Sequence, residues 1–145
     1  MVVIAAVDSQ ATGSAVVSEG RTLADAMGEP LHVVHVLNQS RFRELERTSL
    51  DETGEPIDVE TIREMATDIA DDVASATLET GYTAVGLVGD PAEAVLKYAA
   101  NEDASYLAIG GRKRSKVGKA LFGSVTQSVL LDADVPVLTV MSDDD

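Results

Sequence analysis

The chain contains no cysteine, which excludes disulfides, thiolate metal sites and cysteine nucleophiles. Aromatic residues make up only 3% of it (Phe42, Phe122, Tyr82, Tyr98 and Tyr106), so a core has to be built from Val, Ile, Leu and Ala. No apolar run approaches the length needed to span a membrane. The opening MVVIAAVDSQ has no basic segment of the kind that starts a secretory signal, so the expected location is the cytoplasm, with no membrane partner. Lysine is also rare, at Lys97, Lys113, Lys116 and Lys119.

What is present is acid and aliphatic surface. The 145 residues carry 25 Asp and Glu against 11 Lys and Arg, a formal charge of -14. Such a chain repels phosphate backbones, so nucleic acid is not an expected partner. The acids are spread along the chain and end in Asp143–Asp145, which points to adaptation to high salt; ordinary solubility is the plainer reading. An apolar fraction of 45% at this length fits one globular domain over residues 1–145.

Five of the 11 cations fall in one stretch, residues 110–124, GGRKRSKVGKALFGS: Arg112, Lys113, Arg114, Lys116 and Lys119. A basic, glycine-flanked segment in an otherwise acidic protein suits an anion. Glycine lets backbone N–H groups approach a phosphate, and a following helix presents its positive end. Gly110 and Gly111 are expected to end a strand and open this loop. Gly123 and Ser124 are expected at the start of a helix, where Ser124 serves as an N-cap or faces a phosphate, with Thr126 as a second hydroxyl.

The rest of the chain alternates strand and helix patterns. Short apolar runs at residues 2–7, 31–37, 83–88, 105–109 and 135–140 read as strands, the first of them, continuous and β-branched, as one buried on both faces. Helices are expected over about 11–27, 57–80 with Gly81 as C-cap, 91 onward with Asp90 as N-cap and Pro91 in the first turn, and 123–131. Residues 38–56 read as a long polar loop, partly helical at most. Strands separated by helices cannot pair as hairpins, so a parallel, doubly wound α/β sheet is expected.

Several chemistries are excluded or left without support. Lys113 and Ala120 stand where a Walker A loop ending at Gly118-Lys119 needs glycine and Ser or Thr, and no G-x-G-x-x-G follows the first strand. His32 and His35 are three apart on a strand and so point to opposite faces, as core or surface groups rather than a ligand pair. No catalytic residue and no metal ligand is singled out.

The first strand ending in Asp8, the strand LHVVHV, the Gly89-Asp90-Pro91 turn and the stretch from Gly110 to Ser124 ahead of VPVLTV together resemble a universal stress protein domain. The family's nucleotide pattern is Gly, two residues, Gly, nine residues, Gly, then Ser or Thr. Gly110, Gly123 and Ser124 match it, whereas Lys113 departs from it at the second glycine. The resemblance implies a five-stranded parallel sheet in order 3-2-1-4-5, of the adenine nucleotide alpha hydrolase-like kind. It also implies a homodimer built partly on the last strand, and a nucleotide site between strands one and four. The physical reading places a crevice there too, at the carboxyl ends where the strand order reverses.

On that resemblance Asp8 takes the ribose, with Ser9 beside it, or is only a loop or capping acid. Val36 lies over the adenine, with Val34 or Leu37 as alternatives, or only packs in the core. Gly110, Gly111, Arg112, Lys113, Gly123, Ser124 and Val125 surround the phosphates, with Lys113 either blocking them or adding a charge contact. The implied ligand is ATP, ADP or AMP, with Mg as a possible companion. The expected function is a dimeric, ligand-sensing stress-response protein paired through Val135–Val140, whose uncovered apolar edge invites a second chain. A non-nucleotide interaction module with unknown protein partners and a weak ATPase are the alternatives.

Overall fold

The computed structural model describes residues 1–8, 10–114, 119–121 and 123–143, with the backbone alone at 10, 11, 112–114, 119–121 and 143. The elements are β1 (Val2–Ala6), α1 (Gln10–Met27), β2 (Leu31–Leu37), α2 (Gln39–Thr53), α3 (Val59–Ser75), β3 (Tyr82–Val88), α4 (Pro91–Asn101), β4 (Ala104–Arg114), β5 (Lys119–Leu121), α5 (Ser124–Asp132) and β6 (Val137–Asp143). Five of the strands are parallel and run in the spatial order β3, β2, β1, β4, β6. This is the expected topology, 3-2-1-4-5 once the short β5 is set aside.

Alternation along the strands divides the core. Val3, Ala5, Val33 and Ala108 face α1 and α3, meeting Val16, Val17, Ala70 and Val73. Val2, Ile4, Val34, Leu107 and Ile109 face the other way, onto Ala92, Val95 and Ala99 of α4 and Val129 of α5. Small residues on the helices bring them close to the sheet. The extreme case is Gly86, where a Cβ would lie 2.2 Å from the Thr67 amide nitrogen and 2.4 Å from the Arg63 carbonyl oxygen. α3 therefore rests directly on the backbone of β3.

Four sequence expectations are corrected. Gly110 and Gly111 do not end a strand, because β4 runs on through Arg112 and Lys113 to Arg114. It does so because β6 pairs with it as far as Lys113↔Asp143, while β5 pairs antiparallel with residues 112–114 along the other edge. The polar stretch after β2 contains a full helix, α2. Asn38 caps it by accepting from the Arg41 N–H, and Gly54 at φ 75° closes it by donating to the Leu50 carbonyl. None of its residues is buried; Phe42 and Leu45 only lean on Leu37, Ile62 and Ala66, so no apolar stripe announces it. α3 ends at Ser75, not near Thr80, and Gly81 (φ 87°) turns the chain into β3 instead of capping the helix. The last strand begins at Val137, two residues later than expected, and extends to Asp143.

Candidate functional site

All the parallel strands point their carboxyl ends the same way, so the helices that follow them start at that edge of the sheet. Between β1 and β4, where the strand order reverses, this edge opens into a cavity of about 550 Å³. That lies within the roughly 300–1,000 Å³ of small-molecule sites.

The cavity has two kinds of wall. Ala6 and Val7 from β1 and just beyond it, Val34 and Val36 from β2, Val95 from α4, and Ile109 and Val129 give it an apolar side. Asp8, Thr12, Asn38, Ser124 and Thr126, with Gly13, Gly110, Gly111 and Gly123, supply polar groups and exposed backbone. Asp8 is the one carboxylate among the described residues of the lining, and it is exposed.

Three ties hold this constellation. The Val7 N–H donates to the Val34 carbonyl at 2.8 Å, carrying the β1–β2 pairing one residue past the strand. His35, buried on β2, bonds through Nδ1 to the Val7 carbonyl oxygen at 2.9 Å. At the opposite wall, the Thr126 hydroxyl donates to the Gly110 carbonyl at 2.9 Å and joins the first turn of α5 to β4.

The helix starts differ in how they are capped. Asn38 accepts from the Arg41 N–H at the start of α2, and Asp90 accepts from the Glu93 N–H at the start of α4. The N-cap of α5 is Gly123, not Ser124 as one reading of the sequence had it, and Gly123 has no side chain to cap with. The first-turn N–H groups of α5, next to Ser124 and Val125 on the cavity wall, thus lack a side-chain cap. An uncapped helix start of this kind favours an anion through its N–H groups and its dipole.

The structure therefore gathers Asp8, Val36, Gly110, Gly111, Gly123, Ser124 and Val125 around one cavity. Ser9, Lys116 and Gly118 lie outside the described residues, as do the side chains of Arg112 and Lys113. The glycine pair splits in role. A Cβ on Gly111 would come within 2.7 Å of the Met141 Sδ, so its bareness serves the packing of β4 against β6. A Cβ on Gly110 would meet only Val16 Cγ2 at 3.4 Å, an ordinary contact beside the cavity. Thr12, Gly13 and Asn38 were missed. Asn38 carried a signal, a capping residue placed directly after a strand.

His32 and His35 do face opposite sides of β2. The His32 Nδ1 hydrogen-bonds with the Tyr98 hydroxyl at 2.7 Å on the α4 side, whereas His35 bonds to Val7. No group of three or more metal-ligating side chains occurs among the described residues. No helix among them is long and apolar enough to cross a membrane.

The pattern of the Universal stress protein family matches residues 1–141. The chain belongs to this family. A family member from Thermus aquaticus is 34% identical over 93 residues, covering 62% of this chain and 68% of that protein. The stress response protein NhaX of Bacillus subtilis is 37% identical over 54 residues, which is 37% of this chain and only 32% of NhaX. Among solved structures, a universal stress protein from Archaeoglobus fulgidus superposes with a TM-score of 0.60 at 27% identity, over 96% of this chain and 97% of its own. A universal stress protein in complex with cAMP gives a TM-score of 0.62 at 19% identity over 97% and 96% of the two chains. An Archaeoglobus fulgidus family member in complex with dAMP gives 0.55 at 22%, over 96% of each chain. The latter two likenesses show the shared fold.

Proposed function

We propose that this universal stress protein binds an adenine nucleotide in the cavity between β1 and β4 and works in the cytoplasm as a ligand-sensing dimer. The observation that carries the reading is the uncapped start of α5. Gly123, Ser124 and Val125 share one cavity with Gly110 and with Asp8, the one carboxylate of the described lining, while an apolar wall of valines stands ready for a flat base. In this reading the phosphates sit on the α5 N–H groups and Ser124, the ribose hydroxyls donate to Asp8, and the base rests against Val34 and Val36. The cAMP and dAMP complexes of the two neighbouring structures support the ligand class. ATP, ADP and AMP all carry the groups this arrangement would hold. Mg, if it comes, comes with the phosphates.

The test is mass spectrometry of small molecules released on denaturing the freshly purified protein, followed by calorimetric titration with ATP and AMP. A stoichiometric adenine nucleotide, or saturable heat that Ser124→Ala and Asp8→Ala weaken, is expected. An empty protein silent to both nucleotides would overturn the reading and favour an interaction module of the same fold.

Dimerisation is proposed through β6. The Leu107 N–H donates to the Pro136 carbonyl, so the even-numbered residues of β6 turn their backbone groups to β4. Val137, Thr139 and Met141 turn theirs outward, along an edge that no described strand covers. Leu138 of β6 itself is 36% exposed. Thr139→Pro removes one outward N–H without touching the ladder to β4. Light scattering should show the wild type as a dimer and this variant as a monomer; a variant that stays dimeric would place the contact elsewhere.

A further inference from the structure

We infer that His35 is a positioning residue of the cavity, one that aims Asp8 by holding the peptide in front of it. The inference rests on the proposed nucleotide reading for its binding consequence and on the geometry for the tie itself.

His35 is only 8% exposed, and with Ser105 it is one of two polar or charged residues found buried among the described ones. Burying an imidazole costs free energy unless it is hydrogen-bonded, so its partner matters. That partner is the Val7 carbonyl oxygen, at 2.9 Å. A carbonyl can only accept, so Nδ1 carries the proton and donates.

β1 ends at Ala6, and the chain must leave the sheet before α1 begins at Gln10. Val7 is held on both sides of its peptide. Its N–H is taken by the Val34 carbonyl and its C=O by the adjacent residue on β2, His35. The Val7 carbonyl and the Asp8 N–H belong to one planar trans peptide, with no cis bond in the described chain. Fixing the direction of the carbonyl therefore fixes the opposite direction of the Asp8 N–H and the place of the Asp8 Cα. The carboxylate of an exposed residue at a strand exit would otherwise sweep a wide arc. His35 itself is not on the cavity wall, whereas Val7 and Asp8 both are. Its effect on a ligand has to pass through them.

The experiment uses the full-length protein and two probes, AMP and 2′-deoxy-AMP, which differ only in the ribose 2′-hydroxyl. Calorimetry gives the ratio of the two affinities for wild type, Asp8→Ala, His35→Leu and His35→Asn. Leu keeps the volume and removes the donor. The Asn side-chain nitrogen stands near the place of Nδ1 and can restore it. The wild type should favour AMP, and Asp8→Ala should abolish that preference. His35→Leu should shrink the ratio by about five- to tenfold, the scale of one misplaced hydrogen bond, and His35→Asn should recover most of it. General loosening of the fold would weaken both ligands alike, so an unchanged ratio in His35→Leu, with Asp8→Ala still losing it, overturns the inference while leaving the nucleotide reading intact.

If the wild type binds neither probe, the nucleotide reading fails, and the tie is read by amide exchange at Val7, whose N–H donates to the Val34 carbonyl, in the ligand-free protein. His35→Leu should speed that exchange by about tenfold, one hydrogen bond's worth, with His35→Asn restoring it; equal rates in all three overturn the inference. Should His35→Leu not fold, His35→Gln replaces it, because its amide lies one bond too far out and should show the same losses.

Discussion

Thr126 and Gly110 are joined by a hydrogen bond of 2.9 Å from hydroxyl to carbonyl, across the wall between α5 and β4. The bond places the uncapped helix start beside the bare backbone of Gly110. It also makes the two halves of the expected phosphate site a single mechanical unit. Thr126→Val keeps the side-chain shape and strands the Gly110 carbonyl. Chemical denaturation should show a loss of about 1 kcal/mol. Nucleotide affinity should fall further than under Ser128→Ala, a substitution on the same helix away from the cavity lining.

Gly110 and Gly111 should respond in opposite ways to the same substitution. Gly110→Ala adds a methyl at ordinary distance from Val16, beside the cavity, so the melting temperature should hold while nucleotide binding drops. Gly111→Ala drives a methyl toward the Met141 Sδ and the Thr139 Cγ2, which must give way. It should cost about 1–2 kcal/mol of stability, the lower range for overpacking against a flexible side chain, with binding little changed. Paired melts and titrations check both.

Stability should decline at high pH through Tyr98. Its pKa is pushed up to about 12, first by burial and then by the nearby negative charge of Glu102. The folded protein thus keeps the phenol proton between pH 10 and 12, where the unfolded chain loses it. With more protons bound to the folded state, stability is full below the unfolded pKa and falls as pH rises through this window. Urea midpoints measured from pH 9 to 12 should drop less steeply for Tyr98→Phe than for the wild type.

Salt should stabilise the fold. A formal charge of -14 on 145 residues repels itself more when compact than when unfolded. In about 1 M KCl the Debye length falls to roughly 3 Å and this repulsion is screened. A thermal melt no higher there than in dilute buffer would count against the acidic surface as a salt adaptation.

The sequence by itself determined the frame. Five short apolar runs separated by helical patterns leave little alternative to a parallel sheet, because strands joined through helices cannot turn back as hairpins. The ends of β2 at Leu37 and β3 at Val88, the Asp90–Pro91 helix start and the opposite faces of His32 and His35 follow from local chemistry and from the period of two along a strand. Only tertiary structure decided the rest. α2 shows no apolar stripe because only Phe42 and Leu45 lean on the body, so periodicity had nothing to detect. β4 outruns its apolar core as far as Arg114 because β6 and β5 offer partners on both edges, and pairing of that kind is not written in the strand's own residues. Gly86 looks like any strand glycine until α3 is laid across it. The same holds for the candidate site. Its residues were legible one by one as turn and cap signals, but their convergence on one cavity, and the His35 hold on Val7 behind Asp8, come from long-range contacts between β1, β2, β4 and α5.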